Sequence, residues 1–268
     1  MNSQHAAFSG SIPANYDRYL GPILFQSYAE DLAGRLHLPN ESSVLELACG
    51  TGILTRVLRT RLPTGVQLTA TDLNEPMFRN AAAKFSDGEA VTWQQADASS
   101  LPFADGMFDA VVCQFGLMFV PERLLAAQEA RRVLKPNGVF LFNVWDAMEH
   151  NKLGQLTHRT VAKYFEKDPP MFYQVPFGYH DQDEIRRVLG EAGFKQIEIE
   201  VVTKSSPIGR PEDAAIGLVQ GNPVAIAITE RDPALLPVIT DTVAQAIRDQ
   251  FGETGSASMQ AIVVEART

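Results

Sequence analysis

Short apolar runs alternate with amphipathic stretches along this chain, and the two periods predict a sheet wrapped by helices. Strand-like runs begin at Val44 and recur at Val66–Asp72, Val91–Gln95, Phe108–Gln114, Gly138–Trp145, Gln196–Lys204 and Ser258–Glu265. Helical spacing marks Ile53–Arg61 and Asp183–Ala192, the second opened by Asp181 and Glu184 in a capping-box pattern. Strands alternating with helices in this way build an α/β sheet. An amphipathic segment, Tyr16–Leu38, precedes the first strand, ends at Pro39-Asn40 and should lie across the ligand mouth. A helical insertion runs to Phe165 after the fifth strand, followed by the Pro-, Phe- and Tyr-rich loop Lys167–His180, a candidate pocket wall. Ser205–Gly255, between the sixth and seventh strands, is too long for a hairpin. Pro211–Gln220, Pro223–Thr229 and Pro233–Phe251 each read as helical, so this stretch predicts a cap.

Chemistry concentrates where the first strand ends, in Val-Leu-Glu-Leu-Ala-Cys-Gly-Thr-Gly, residues 44–52. Gly50 and Gly52 carry no Cβ and let backbone approach a ligand, while the N–H groups opening the next helix attract negative charge. Gly52 is followed by Ile53-Leu54 and not by Lys-Ser/Thr, which argues against a P-loop. Thr55 stands where a dinucleotide site places its third glycine, which demotes a nicotinamide cofactor without removing it. Two more strands end in acids, Asp72 and Asp97, and a carboxylate at the Asp72 position can accept both hydroxyls of a ribose. Each feature alone has an ordinary reading, a tight turn or a helix cap. Unrelated turns give no reason for Glu46, Asp72 and Asp97 to gather at one sheet edge, where open α/β sheets bind ligands.

Glu46, Ala48, Gly50 and Gly52 form an acidic-x-Gly/Ala-x-Gly-x-Gly pattern that resembles class I S-adenosylmethionine-dependent methyltransferases, with Ala48 where that family usually has glycine. Leu101–Asp109 and Arg132–Gly138 resemble its later segments, and the likeness covers about Val44 to Val202 at motif level. The branch it resembles holds small-molecule enzymes related to quinone-ring C-methylation. The resemblance implies a Rossmann-like seven-stranded sheet in the order 3-2-1-4-5-7-6, strand 7 antiparallel, with helical caps. It implies S-adenosylmethionine as cofactor and methyl transfer to a small, apolar or aromatic acceptor. By the same likeness Glu46 would face the cofactor's amino group, Ala48, Cys49, Gly50 and Gly52 its methionine portion, Asp72 the ribose, and Asp97 with Ala98 the adenine. Gln114 and Phe115 would border the methyl group, and Tyr19, Leu73 and Met77 complete the candidate set. His180 is a weak candidate for a general base, because imidazole titrates near neutrality.

Composition narrows the partners. The chain has 268 residues, 45% of them hydrophobic, and a formal net charge of −9. A broad phosphate-neutralising surface is thereby disfavoured, so no nucleic-acid substrate is expected. Two cysteines, Cys49 and Cys113, form neither a disulfide framework nor a metal-ligand spacing, which fits a reducing, cytoplasmic setting without a metal. No apolar run approaches the ~18 residues of a membrane span, and no signal-peptide pattern opens the chain. The expected organisation is a cap over residues 1–40, a cofactor-binding core over 41–204, a helical insertion over 205–256 and a last core strand over 257–268. The insertion's apolar helices serve either as a lid over the acceptor or as a homodimer surface. Two rival functions stay open: a non-catalytic cofactor-binding scaffold of the same fold, and an NAD(P)-dependent oxidoreductase.

Overall fold

The computed structural model describes residues 10–268; residues 1–9, the start of the expected N-terminal cap, lie outside the described residues. Seven strands form one sheet: β1 (Ser43–Leu47), β2 (Gln67–Asp72), β3 (Val91–Gln95), β4 (Phe108–Gln114), β5 (Leu134–Trp145), β6 (Gln196–Pro207) and β7 (Ser256–Arg267). Their order is β3-β2-β1-β4-β5-β7-β6. The strands from β1 to β5 pair in parallel, and β7 runs antiparallel between β5 and β6. This is the expected Rossmann-like sheet. Val44, Leu45 and Leu47 of β1 and Ala110, Val111, Val112 and Cys113 of β4 are buried, because helices cover both faces of the centre. Parallel pairing brings the ends of β1, β2 and β4 to a common edge, with Glu46 level with Ala70 and Val112.

Several elements differ at their margins from the sequence expectation. β6 continues past Lys204 to Pro207, which pairs with Ser256 at the start of β7. The helical insertion therefore starts after residue 207 and ends before 256. Pro207 can extend the strand because β6 is the sheet's outer strand and needs no further ladder donor there. Asp181 caps the helix Gln182–Glu191 by accepting from the N–H groups of Asp183 and Glu184. The carboxylate of Glu184 pairs with Arg123 at 3.0 Å.

The N-terminal segment is not one uniform helix. A short turn of helix, Ile12–Asn15, passes into a ten-residue π-helix, Tyr16–Phe25, and then an α-helix, Gln26–Gly34. Bonding of the i→i+5 type widens the turn and resets which side chains share a face. Tyr16 thus stacks on Phe25 with ring centroids 4.7 Å apart. The insertion supplies the helices Pro211–Gln220, Val224–Arg231 and Leu235–Phe251. The first crosses the π-helix at Gly217, where an added Cβ would lie 2.9 Å from the Cβ of Tyr19. Among the described residues, no helix is long and apolar enough to cross a membrane.

Candidate active site

The turn after β1 is tied to β2 by backbone and carboxylate bonds. The Cys49 N–H donates to Thr71 O at 2.9 Å, and the Gly52 N–H donates to Cys49 O at 2.9 Å. Asp72 accepts from the Gly50 N–H at 2.8 Å through Oδ2 and from the Asn74 N–H at 2.7 Å through Oδ1. Gly50 and Gly52 adopt φ of 56° and 82°, the left-handed region that suits glycine. Ala48 adopts it as well, at φ 50°, and Gly116 leaves room for its methyl group: a Cβ on Gly116 would lie 2.5 Å from the Ala48 Cβ.

A cleft of about 310 Å³ opens beside this turn. Ala48, Gly50, Asp72, Leu73, Met77, Asp97, Ala98, Gln114 and Phe115 all line it. Glu46 and Cys49 line a smaller adjoining recess, shared with Ala48, Gly50 and Gln114. The structure therefore brings together eleven of the thirteen residues proposed from sequence for the cofactor. Gly52 is not among them. It starts the helix Ile53–Arg61 with its Cα toward Ala81 and Phe85, so its part is to shape the turn. Tyr19 also falls outside, because the π-helical register turns it toward Gly217 and puts Tyr16 in the cleft instead. Tyr16, Asn74, Ser99 and Glu122 complete the lining beyond the proposed set. Asn74 and Ser99 each sit two residues past a strand-end acid whose carboxylate their N–H meets, a local signal the sequence carried.

The expected base is elsewhere. His180 is exposed at the start of the helix Gln182–Glu191 and lines neither the cleft nor its neighbouring cavities. Its neighbour Tyr179 takes the inward direction, buried beneath the Arg123 guanidinium 4.0 Å from its ring centroid.

Electrostatically the recess is short of partners. Glu46 is buried, and among the described residues its Oε2 has no hydrogen-bond partner, nor does Gln114 Oε1, whose amide nitrogen donates to Phe25 O at 2.8 Å. Burial pushes the Glu46 carboxyl up to about 8, offset in part by Thr55 and reinforced by the charge of Asp72. Burial likewise raises Asp72, against the pull of its bonds from Asn74 and Gly50. Two unpaired buried acceptors beside a glycine turn fit a ligand that brings hydrogen-bond donors.

A second cavity adjoins the cleft through Tyr16, Phe115 and Phe119, which line both. Phe115 lies flat on Trp145 with centroids 3.8 Å apart, and Tyr28 meets both rings edge-on. The far wall is made by Phe172, Tyr173 and Phe177 with Leu218 and Asn222. Tyr173 donates its hydroxyl to Leu218 O at 2.5 Å, joining the loop to the insertion. Among the described residues no carboxylate, imidazole, amine or guanidinium lines this cavity. Among the described residues no cluster of His, Cys, Asp and Glu could hold a metal ion.

Residues 45–142 match a family described as a methyltransferase domain. These residues contain the glycine turn and the strand-end acids that line the cleft. Over this segment the chain is a methyltransferase domain of the S-adenosylmethionine-dependent kind. The chain is 28% identical over 217 residues to demethylmenaquinone methyltransferase of Staphylococcus haemolyticus, spanning 74% of this chain and 88% of that one. The Staphylococcus carnosus enzyme of the same name is 29% identical over 212 residues, with the same shares covered. Solved structures share the fold: the YcgJ protein of Bacillus subtilis at a TM-score of 0.59 and 20% identity, covering 90% of this chain and 98% of that one. Phosphoethanolamine N-methyltransferase 2 of Haemonchus contortus, solved with S-adenosyl-L-methionine, gives 0.59 at 14% identity, over 95% of this chain and 56% of that one.

Proposed function

We propose that this methyltransferase acts on a small apolar aromatic ring of the hydroquinone type. The observation that carries the reading is the aromatic cavity next to the cofactor cleft, which offers an apolar ring stacking partners and offers a charged acceptor no counter-ion. The names of the staphylococcal relatives agree with it. A phosphorylated amine, as in the name of the Haemonchus enzyme, would need a cation that this lining lacks.

Within this reading, Asp72 holds the ribose, Asp97 and Ala98 the adenine between Leu73 and Met77, and Glu46 the amino group, whose donors match the unpaired Oε2. The bound cofactor supplies a methyl group already electrophilic on its sulfonium. Tyr16, Phe115 and Phe119 stand between cleft and cavity, so they set the line from acceptor atom to methyl group and keep water from it. Alignment of this kind contributes on the order of 7–11 kcal/mol. Tyr16 and Tyr173 are held above the usual phenol range by burial and do not serve as bases near neutrality. The acceptor therefore brings its own nucleophilic carbon or oxygen. Leu218 and Asn222 favour a lid over a dimer surface as the use of the inserted helices. The two buried free thiols suit a reducing, cytoplasmic setting.

The test is methyl transfer from labelled S-adenosylmethionine to a panel of 1,4-naphthalenediol, a catechol, phosphoethanolamine and histamine. Label on the diol with none on the two amines is the expected result; transfer to phosphoethanolamine alone would overturn the reading.

A further inference from the structure

One polar side chain stands in the apolar run of β5 from Val139 to Trp145. Asn143 is fully buried, level with Gln114 of β4 on one side and Val263 of β7 on the other, and lines neither the cleft nor the aromatic cavity. Its Oδ1 accepts from the Phe115 N–H at 3.0 Å, and its backbone O accepts from the same N–H at 3.1 Å. The backbone bond alone continues the ladder one residue past β4 and satisfies that donor. Among the described residues Asn143 Nδ2 has no partner, and a buried unpaired amide donor costs free energy that an apolar side chain of similar size avoids. Stability alone therefore gives no reason for an amide here.

The amide touches the residue that divides the site. Phe115 lines both cleft and cavity and adopts a left-handed φ of 50°, a region that disfavours residues with a Cβ. Its ring lies flat on Trp145, with centroids 3.8 Å apart and planes 13° from parallel. Trp145 is two residues beyond Asn143 on β5, so the two side chains share a face of the sheet. One stretch of β5 thus holds Phe115 at two points, the N–H at Asn143 and the ring at Trp145. We propose that Asn143 is a positioning residue for methyl transfer: its side-chain bond to the Phe115 N–H keeps that backbone left-handed and so sets the plane of the Phe115 ring beside the acceptor. The proposal rests on the reading that the aromatic cavity takes the acceptor. Loss of the bond lets the ring tilt, and a misplacement of about 1 Å can cost on the order of 100-fold in rate.

The test compares wild type with Asn143→Leu, which keeps the volume and removes the acceptor oxygen. For methyl transfer to 1,4-naphthalenediol, kcat should fall about fivefold or more, while the KM for S-adenosylmethionine and the Kd for S-adenosylhomocysteine stay within about twofold. In a Phe115→Ala background the same substitution should change kcat by less than about twofold, because the residue it acts through is gone. The chain has two tryptophans, so Trp93→Phe isolates the emission of Trp145, which should shift when Asn143→Leu is added. Asn143→Ala removes the amide without adding bulk and carries the same expectations if the leucine variant does not fold. An unchanged kcat, a loss that persists in full in the Phe115→Ala background, or an unchanged Trp145 emission would overturn the proposal. If the wild type does not methylate the diol, the acceptor reading falls, and the Trp145 emission alone decides whether Asn143 holds Phe115.

Discussion

The two halves of this site are built on opposite plans. On the cofactor side, the turn, Asp72 and Asp97 come from neighbouring strand ends, and their carboxylates meet backbone N–H groups two residues on or, for Gly50, on the adjoining turn. On the acceptor side, the wall is assembled from the π-helix, the end of β4, Trp145, the loop around Phe172 and Tyr173, and the inserted helices, and it is held by ring packing. A polar site for a fixed ligand can be written into adjacent loops because hydrogen bonds fix it locally. An apolar site takes its shape from which distant elements pack together, so one fold can keep its cofactor and exchange its acceptor.

If the halves are independent, damage to one should leave the other intact. The largest effect is expected for Gly154→Val. A Cβ at Gly154 would lie 2.6 Å from the Phe177 ring, so the larger side chain drives that ring into the cavity. Overpacking costs about 1–3 kcal/mol of stability. Acceptor kcat/KM should fall at least tenfold while the S-adenosylhomocysteine Kd stays within twofold, and a parallel loss of both would refute the separation.

Asp72→Ala attacks the other half. It removes a carboxylate that holds Gly50 and Asn74 and is assigned to the ribose, and bonds to a charged group are worth about 1.5–3 kcal/mol. S-Adenosylhomocysteine affinity should drop tenfold or more by calorimetry, with acceptor-probe binding little changed. Affinity within a factor of two of wild type in a folded variant would remove the ribose assignment.

How far each half could be read from sequence follows the same division. Glu46, Gly50, Asp72 and Asp97 were legible because each ends or follows an apolar run, and parallel pairing then brings those ends to one edge. The sheet order followed from resemblance, and the structure has it. Of the two tyrosines that helical spacing offered, Tyr16 lines the cleft and Tyr19 does not, because the ten-residue π-helix shifts the register from that of an α-turn. His180 looked available from its place in the chain, but the burial of Tyr179 turns the next residue to solvent. Pro207 and Ser256 were read as insertion when they are a strand pair, since proline is uninformative on an outer strand. The apolar composition of the helix Pro211–Gln220 gave no sign that Leu218 is the residue facing the cavity.

A smaller effect should appear with pH, and it sharpens the cofactor half. In the cofactor-free protein Glu46 is protonated below about 8, and the cofactor's ammonium needs the ionised form. Affinity should therefore rise with pH toward 8 and level off, and Glu46→Gln should flatten that profile. Stability moves the other way. The folded carboxyl titrates above its unfolded value, so the folded state binds the extra proton between the two, and stability from this group falls as pH rises from the ordinary carboxylate range to about 8. Chemical denaturation of wild type and Glu46→Gln across that window measures it.

The smallest effect is expected at Ala48, whose left-handed φ of 50° costs alanine about 1–2 kcal/mol. Ala48→Gly relieves that strain but frees the unfolded chain by about 0.4–1 kcal/mol. A net gain of up to about 1 kcal/mol in unfolding free energy is expected; a clear loss of stability would mean that the methyl group's packing against Gly116 outweighs the strain.

The most direct measurement is a crystal structure of the protein with S-adenosylhomocysteine and 1,4-naphthoquinone together. The account predicts the ribose at Asp72, the sulfur facing Phe115 and Phe119, and the quinone ring enclosed with Trp145, Phe172 and Tyr173. A quinone bound outside that aromatic cavity, with the cofactor in its cleft, would contradict it.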